Sequence, residues 1–272
     1  MKILVLGSEG QIGRPTVKYL RENGHEVVEW DIKLNYTHDV RRCYYNLIER
    51  MEECDFVYYF ASDVGGAKYL EKHQNTFQFI KNNMEIMTNT FESLKVAKTP
   101  FLFTSSQMSE LSYSTYGTLK KIGETITNDL GGLVVRLWNV YGLEEDEEKS
   151  HVITDFCRMA KKDGVINMRT DGAESRQLLF EDDCAECFLT LTNLYDTLDK
   201  SKNYHITNFE WSTVSDIADI IKNISGCAVV KSSMKDNTQM NAMNAPDPYI
   251  LNFWKPKTTL KEGITKIYNE TY

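Results

Sequence analysis

The chain opens on Lys2–Leu6, a short apolar run that stops at Gly7. An unbroken run of that length ending in glycine is the pattern of a strand buried on both faces. From Gln11 to Asn23 the period changes. Ile12, Val17 and Leu20 fall roughly on one side, and Gly24 follows as a stop, which predicts a helix. The alternation then repeats. Strands are predicted at Glu26–Trp30, Phe56–Phe60, Phe101–Thr104 and Leu133–Trp138, and helices at Val40–Met51, Thr76–Lys98 and Tyr116–Asp129. Strand and helix in strict turn predict an α/β fold, a doubly wound parallel sheet with right-handed crossovers.

Beyond Gly142 the rhythm loosens. The run "LEEDEEKS" reads as a solvated acidic connector. Helices are predicted at Val152–Lys162, Asp182–Leu194, Val214–Ile224 and Thr259–Tyr268. Short strands are predicted near Val165–Met168, Gln177–Phe180 and Tyr204–Ile206. This pattern divides the chain into a nucleotide-binding domain, 1–142, and a smaller substrate-binding lobe, 143–272. Segments around 175–206 are expected to return to the first domain.

With 42% hydrophobic and 26% charged residues, the 272-residue chain has the composition of an ordinary globular protein. A net charge of −8 with no basic stripe argues against nucleic acid as a partner. An anionic ligand stays possible, because backbone N–H groups at a helix start can hold a phosphate. No stretch approaches 18 apolar residues, so no membrane span is expected. "MKILVLGSEG" lacks the length and cleavage site of a signal peptide. The expected location is the cytoplasm, with the six cysteines reduced. Cys184-x-x-Cys187 falls in a helical pattern with no second pair to complete a metal site, and reads as packing.

Three places carry candidate chemistry. Gly7, Gly10 and Gly13, with Gln11 and Ile12 between them, sit at the first strand–helix junction. The spacing G-x-x-G-x-x-G permits a tight turn, a close backbone approach to a pyrophosphate, and helix–strand packing. Asp31 ends the second strand, where a carboxylate accepts hydrogen bonds from a ribose diol and repels a 2′-phosphate, so NAD is expected. Asp39 at the next junction reads equally as an adenine contact or a helix cap. In "TSSQMSELSYSTYGTLKK", Tyr116 and Lys120 lie one helical turn apart after a serine cluster. The bland reading is a surface loop entering a helix. The chemical reading is a tyrosine whose pKa, ordinarily about 10, is lowered by the lysine and by an oxidised nicotinamide.

These segments, together with "YYFASDVGG", "NNMEIMTN", "RLWNVYG", "SHVI", "RQLLFEDD" and "WKPKTTLKEGI", resemble the extended short-chain dehydrogenases/reductases. Within them the chain is similar to the NAD-dependent epimerase/dehydratase family of nucleotide-sugar enzymes, along nearly its whole length. The resemblance implies a Rossmann-type domain with Tyr116 as acid/base, Lys120 as its partner on the nicotinamide ribose, and Ser106 on the reacting hydroxyl. It implies cofactor contacts from Ala61, Ser62 and Asn83, and substrate contacts from Asn139 and Arg176. Arg176 would grip the diphosphate; its bland reading is a surface ion pair with Glu174 or Asp182. Asp63–Gly66, with Gly65 and Gly66 near the sugar, resembles a loop of GDP-mannose epimerases and GDP-fucose synthases, which favours a GDP-sugar. Ser150–Ile153 is similar to the latter, where the histidine donates a proton. Here a polar or diphosphate contact by His151, beside Val152, is the preferred reading. A homodimer through helices around 76–98 and 116–129 is also implied.

The departures narrow the chemistry. Gln107, itself expected to contact the substrate, and Met108 stand where those two subfamilies place a cysteine and dehydratases place an acidic pair. The segment from Ser106 to Tyr116 is shorter than the family's usual one. The "NAPDPY" tail lacks the arginine that commonly precedes Pro-Asp. The expected activity is NAD-dependent nucleotide-sugar epimerisation through a transient ketone. A 4-keto reductase or dehydrogenase on the same site is the alternative, and a non-catalytic NAD-binding regulator a further one.

Overall fold

A computed structural model of the chain describes residues 1–42, 44–235 and 244–271. The first half alternates as its apolar pattern requires: β1 (Lys2–Leu6), α1 (Gly13–Glu22), β2 (Glu26–Trp30), α2 (Tyr44–Glu52), β3 (Phe56–Tyr59), α3 (Ala67–His73), α4 (Phe77–Ala97), β4 (Phe101–Ser106), α5 (Thr115–Asp129) and β5 (Leu133–Leu137). The second half carries β6 (Asn139–Tyr141), α6 (Val152–Asp163), β7 (Val165–Asn167), β8 (Ser175–Phe180), α7 (Glu181–Asn193), β9 (Asn203–Ile206), β10 (Trp211–Thr213), α8 (Val214–Ser225), β11 (Ala228–Val230) and α9 (Leu260–Glu270).

The central sheet has six parallel strands in the order β2-β1-β3-β4-β5-β9. The period of two sorts its side chains between two cores. Ile3, Val5, Phe56 and Tyr58 pack with Val17 and Leu20 of α1 and Phe188 and Leu191 of α7. Leu4, Leu6, Val57 and Tyr59 pack on the other face with Leu47, Phe91 and Leu94 of α2 and α4. A third core, around Ile153, Phe156, Ile217, Ile221 and Ile264, holds α6, α8 and α9 over β8. The paired thiols Cys184 and Cys187 are buried in the first core, and burial pushes both well up in pKa.

Two elements differ from the sequence pattern for local reasons. The helix expected from Val40 starts at Tyr44, because the Asp39 carboxylate takes the Arg41 N–H at 3.1 Å and holds a turn there. Cys43, inside the expected helix, lies outside the described residues. The run Leu133–Trp138 continues past one residue into β6. At Trp138 the chain leaves the central sheet, and β6 pairs with β8 instead.

α5 begins under a Ser114 cap, whose hydroxyl accepts the Gly117 N–H at 2.9 Å. In an exposed helix Gly→Ala stabilises by about 1 kcal/mol. At Gly117 a Cβ would stand 1.9 Å from the Met108 carbonyl oxygen, so the packing cost wins. Gly117→Ala is expected to destabilise the fold by about 1–3 kcal/mol in urea unfolding. A gain in stability would contradict the close contact described.

Candidate active site

The carboxyl ends of the parallel strands open on a cavity of about 530 Å³. One end is built by the glycine turn. Gly7 has φ +83° and its N–H reaches the Trp30 carbonyl oxygen at 2.9 Å. A Cβ there would lie 2.8 Å from the Ala61 nitrogen, and one on Gly13 would lie 2.1 Å from the Gly7 carbonyl oxygen. Both glycines are therefore required by close backbone approach. α1 follows without a side-chain cap and without an acidic residue in its first turn. Its first N–H groups and the helix dipole thus face the cavity wall formed by Gly10, Gln11, Ile12 and Gly13, a fit for a pyrophosphate. Gln11 is held by the Val140 carbonyl oxygen at 2.9 Å.

Asp31 lines the same end. Its two carboxylate oxygens accept the backbone N–H groups of Glu9 at 3.0 Å and Lys33 at 2.8 Å, which fixes the carboxylate while leaving further lone pairs. Asp39 also lines the wall, but its carboxylate is paired with Arg41, Nε at 2.8 Å and Nη2 at 2.9 Å. Arg41 in turn donates to Asn82 at 2.9 Å. The hydrogen bonds from Arg41 hold the Asp39 pKa below the ordinary carboxylate range, against the opposing effect of burial.

At the other end Ser106, Tyr116 and Lys120 meet in one wall with Ala61, Ser62, Gly65 and Asn139. Lys120 is buried, donates to the Thr104 carbonyl oxygen at 2.8 Å, and stands 5.8 Å from the Tyr116 ring centroid. Burial lowers its pKa to about 8. The expected lowering of the tyrosine is not found in the protein alone. Burial raises the Tyr116 phenol well above its ordinary value, and Ser106 offsets this only in part. Desolvation of the phenolate outweighs the Ser106 hydrogen bond, and the neighbouring ammonium donates to Thr104.

The acidic connector is not uniformly solvated, a second correction. Glu144 is 7% exposed. Its carboxylate takes the His151 backbone N–H and ring Nδ1, both at 2.7 Å. Burial lowers the His151 pKa, but Glu144, and more distantly Asp155, outweigh it and leave it above the ordinary value. Arg14 pairs with Glu145 at 2.6 Å, and the Gly66 N–H reaches the Lys149 carbonyl oxygen at 2.9 Å. The segment 144–151 therefore spans from the glycine turn to the loop after β3, contributing Glu144, Glu145, Asp146, Lys149 and His151 to the cavity wall.

Five expected residues lie off that wall. Gly66 is packed against the connector, where a Cβ would stand 2.5 Å from the Ser150 carbonyl oxygen. Asn83 brackets the Asp63 backbone, accepting its N–H at 2.9 Å and donating to its carbonyl oxygen at 3.0 Å. Gln107 is buried, and its carbonyl oxygen accepts from Asn244 at 2.8 Å. Val152 starts α6. Arg176 is 8% exposed and donates to the Ser175 carbonyl oxygen at 2.8 Å, so it is not a surface residue. Trp30, Arg41, Trp138, Glu144 and Lys149 line the cavity without having been singled out in the sequence, and Asp63 lines it as part of the loop that was. The tryptophans carried a signal, each ending a predicted strand at the sheet edge where the cavity opens.

Residues 3–207 match the NAD dependent epimerase/dehydratase family. The chain belongs to that family. It is similar to GDP-mannose 3,5-epimerase 1 of Oryza sativa subsp. indica, 24% identical over 321 aligned residues that cover 98% of this chain and 81% of that protein. In fold it is similar to the UDP-glucose 4-epimerase of Thermus thermophilus in complex with NAD, with a TM-score of 0.78, 18% identity and complete coverage of both chains. It is equally similar to the GDP-mannoheptose C4 reductase of Campylobacter jejuni with NADP bound, with a TM-score of 0.77, 17% identity, and coverage of 98% and 97%. The proteins that the chain resembles thus include both reaction types and both cofactors.

The Glu144–His151 pair gives a pH-dependent contribution of known sign. Because the folded pKa is raised, the associated stabilisation is fully present below the ordinary histidine value of about 6.5 and is lost as pH rises through the folded pKa. Glu144→Gln removes the carboxylate charge and is expected to move the His151 midpoint down in an NMR titration. An unmoved midpoint would show that Glu144 does not hold the imidazolium.

Proposed function

We propose that this chain is an NAD-dependent nucleotide-sugar epimerase that oxidises a sugar hydroxyl to a ketone and reduces it again. The observation that supports it best is the meeting of Ser106, Tyr116 and Lys120 at one end of a cavity whose other end is the glycine turn and Asp31. The turn and the uncapped start of α1 would hold the cofactor pyrophosphate, and Asp31 the adenosine ribose. When bound, the nicotinamide supplies a hydride acceptor and donor. Ser106 positions the substrate hydroxyl within reach of Tyr116. Tyr116 Oη takes the hydroxyl proton as base and returns it as acid. Lys120 places a positive charge beside the phenol, and its lowered pKa of about 8 makes it able to exchange a proton near neutral pH.

The substrate is proposed to be a nucleoside-diphosphate sugar, a GDP-sugar by preference, with His151 facing its anionic part. Keto reduction with NADPH is the second reading. Lys33 and Arg41 line the cavity beside Asp31, and cations there favour a 2′-phosphate.

Tyr116→Phe is expected to lower kcat by about 10²–10⁴-fold on GDP-mannose or UDP-glucose while leaving the NAD Kd unchanged. Turnover near the wild-type level would refute the assignment. Calorimetry on the wild type is expected to show NAD bound more tightly than NADP, and Asp31→Asn to narrow the difference. Tighter NADP binding in the wild type would move the conclusion to the reductase.

A further inference from the structure

Tyr116, Lys120 and Glu124 follow one another at four-residue intervals along α5, so they share a face of the helix. Each reaches the end of β4. Lys120 donates to the Thr104 carbonyl oxygen at 2.8 Å. Glu124, 2% exposed, accepts the Ser105 and Ser109 hydroxyls on one carboxylate oxygen, both at 2.7 Å. The same oxygen takes Arg136 Nε at 2.7 Å, and the other takes Arg136 Nη2 at 2.8 Å and Lys121 Nζ at 3.1 Å. Arg136 lies on β5, 3% exposed, and its Nη1 also binds Glu110.

Ser105 precedes Ser106, and Ser109 sits in the turn that follows it. Ser106 Oγ itself accepts the Met108 N–H at 3.2 Å, inside the segment between those two attachments. One carboxylate therefore fixes the backbone on both sides of Ser106 to the helix that carries Tyr116 and Lys120. Packing alone does not require this. Helix and strand already touch where Gly123 meets the Phe103 ring, and a buried ion pair is a weak source of stability compared with apolar side chains of the same volume. What the pair supplies is a directional, multiply bonded attachment at a position with little freedom.

We propose that Glu124 is a positioning residue of this site: through Ser105 and Ser109 it sets the placement of Ser106 against Tyr116 and Lys120. Arg136 completes the device by keeping Glu124 ionised and oriented, and the carboxyl stays far from any proton exchange of its own. The inference rests on the reading of Ser106, Tyr116 and Lys120 given above.

Glu124→Gln leaves Arg136 without its charge partner and can fail to fold. The double variant Ser105→Ala/Ser109→Ala keeps the ion pair and removes only the two attachments. The full-length chain loaded with NAD is mixed with GDP-mannose, and absorbance at 340 nm and product are followed beside wild type and Tyr116→Phe. The double variant is expected to lose roughly 10- to 100-fold in kcat, the effect of a small misplacement of reacting groups, with KM and the NAD Kd within about twofold of wild type. Hydrogen exchange read by mass spectrometry is expected to quicken in residues 104–110 while thermal unfolding of the whole chain is little changed. Unaltered exchange in that segment overturns the proposal whatever the turnover. So does a double variant with wild-type kcat when Tyr116→Phe is inactive. An active Tyr116→Phe would instead overturn the underlying reading, and this inference with it.

Discussion

A parallel sheet covered on both faces has nowhere to place polar chemistry except at the ends of its strands. Here β1, β3, β4 and β5 pair in parallel, so their carboxyl ends lie along one edge. Gly7, Ala61, Ser106 and Leu137 consequently reach one edge, and all four line the cavity. The alternation of Ile3 and Val5 against Leu4 and Leu6 sorts the two cores that cover the sheet, and the parallel direction of the strands brings the glycine turn and Ser106 to one edge.

Around that edge the protein buries several charges, and two opposing effects set their behaviour. Where a carboxylate meets a guanidinium with matching geometry, attraction wins over desolvation, as in Asp39–Arg41 and Glu124–Arg136; the Glu124 pKa falls to about 2. Where a group has only a carbonyl or hydroxyl for company, desolvation wins. Lys120 is lowered and Tyr116 is raised. His205 falls to about 4 for the same first reason, with Arg136 adding to it, and accepts from Trp138 Nε1 at 3.3 Å as a neutral ring. The two carboxylate–guanidinium pairs are held in fixed charge states. Among the described residues no carboxylate pairs with Lys120 or Tyr116, and a ligand can change their protonation.

Much of the fold was legible because its signals are local. β1 and β2 match their expected bounds residue for residue, β1 because Ile3–Leu6 is an apolar run buried on both faces and β2 because Gly24 and Asp31 bracket it. The glycine turn, Asp31, Ser106, Tyr116 and Lys120 were legible as motif, and the structure brings them to one cavity. What was not legible depends on partners distant in the chain. Trp138 gave no sign that the strand would change sheets, because β6 is defined by β8, whose Leu178 pairs with Asn139 from far along the chain. Glu144 was hidden within a run of like residues, and its burial follows from the fold of His151 back onto it. Arg176 has the residue type for an anion contact, but its place at the β8–β10 pairing, opposite Ser212, is a tertiary fact.

The strand order has a temporal side. β5 ends at Leu137, yet the neighbour that closes its outer edge, β9, begins at Asn203. At about 5–20 residues per second, a ribosome needs on the order of 3–13 s to make the intervening chain. Throughout that interval Val134–Leu137 presents an open backbone edge of apolar character, the kind that invites pairing with another chain. Arg136 and Trp138 belong to that edge or adjoin it. The residues that line the cavity end at His151, so all of them are made before the strand that covers this edge.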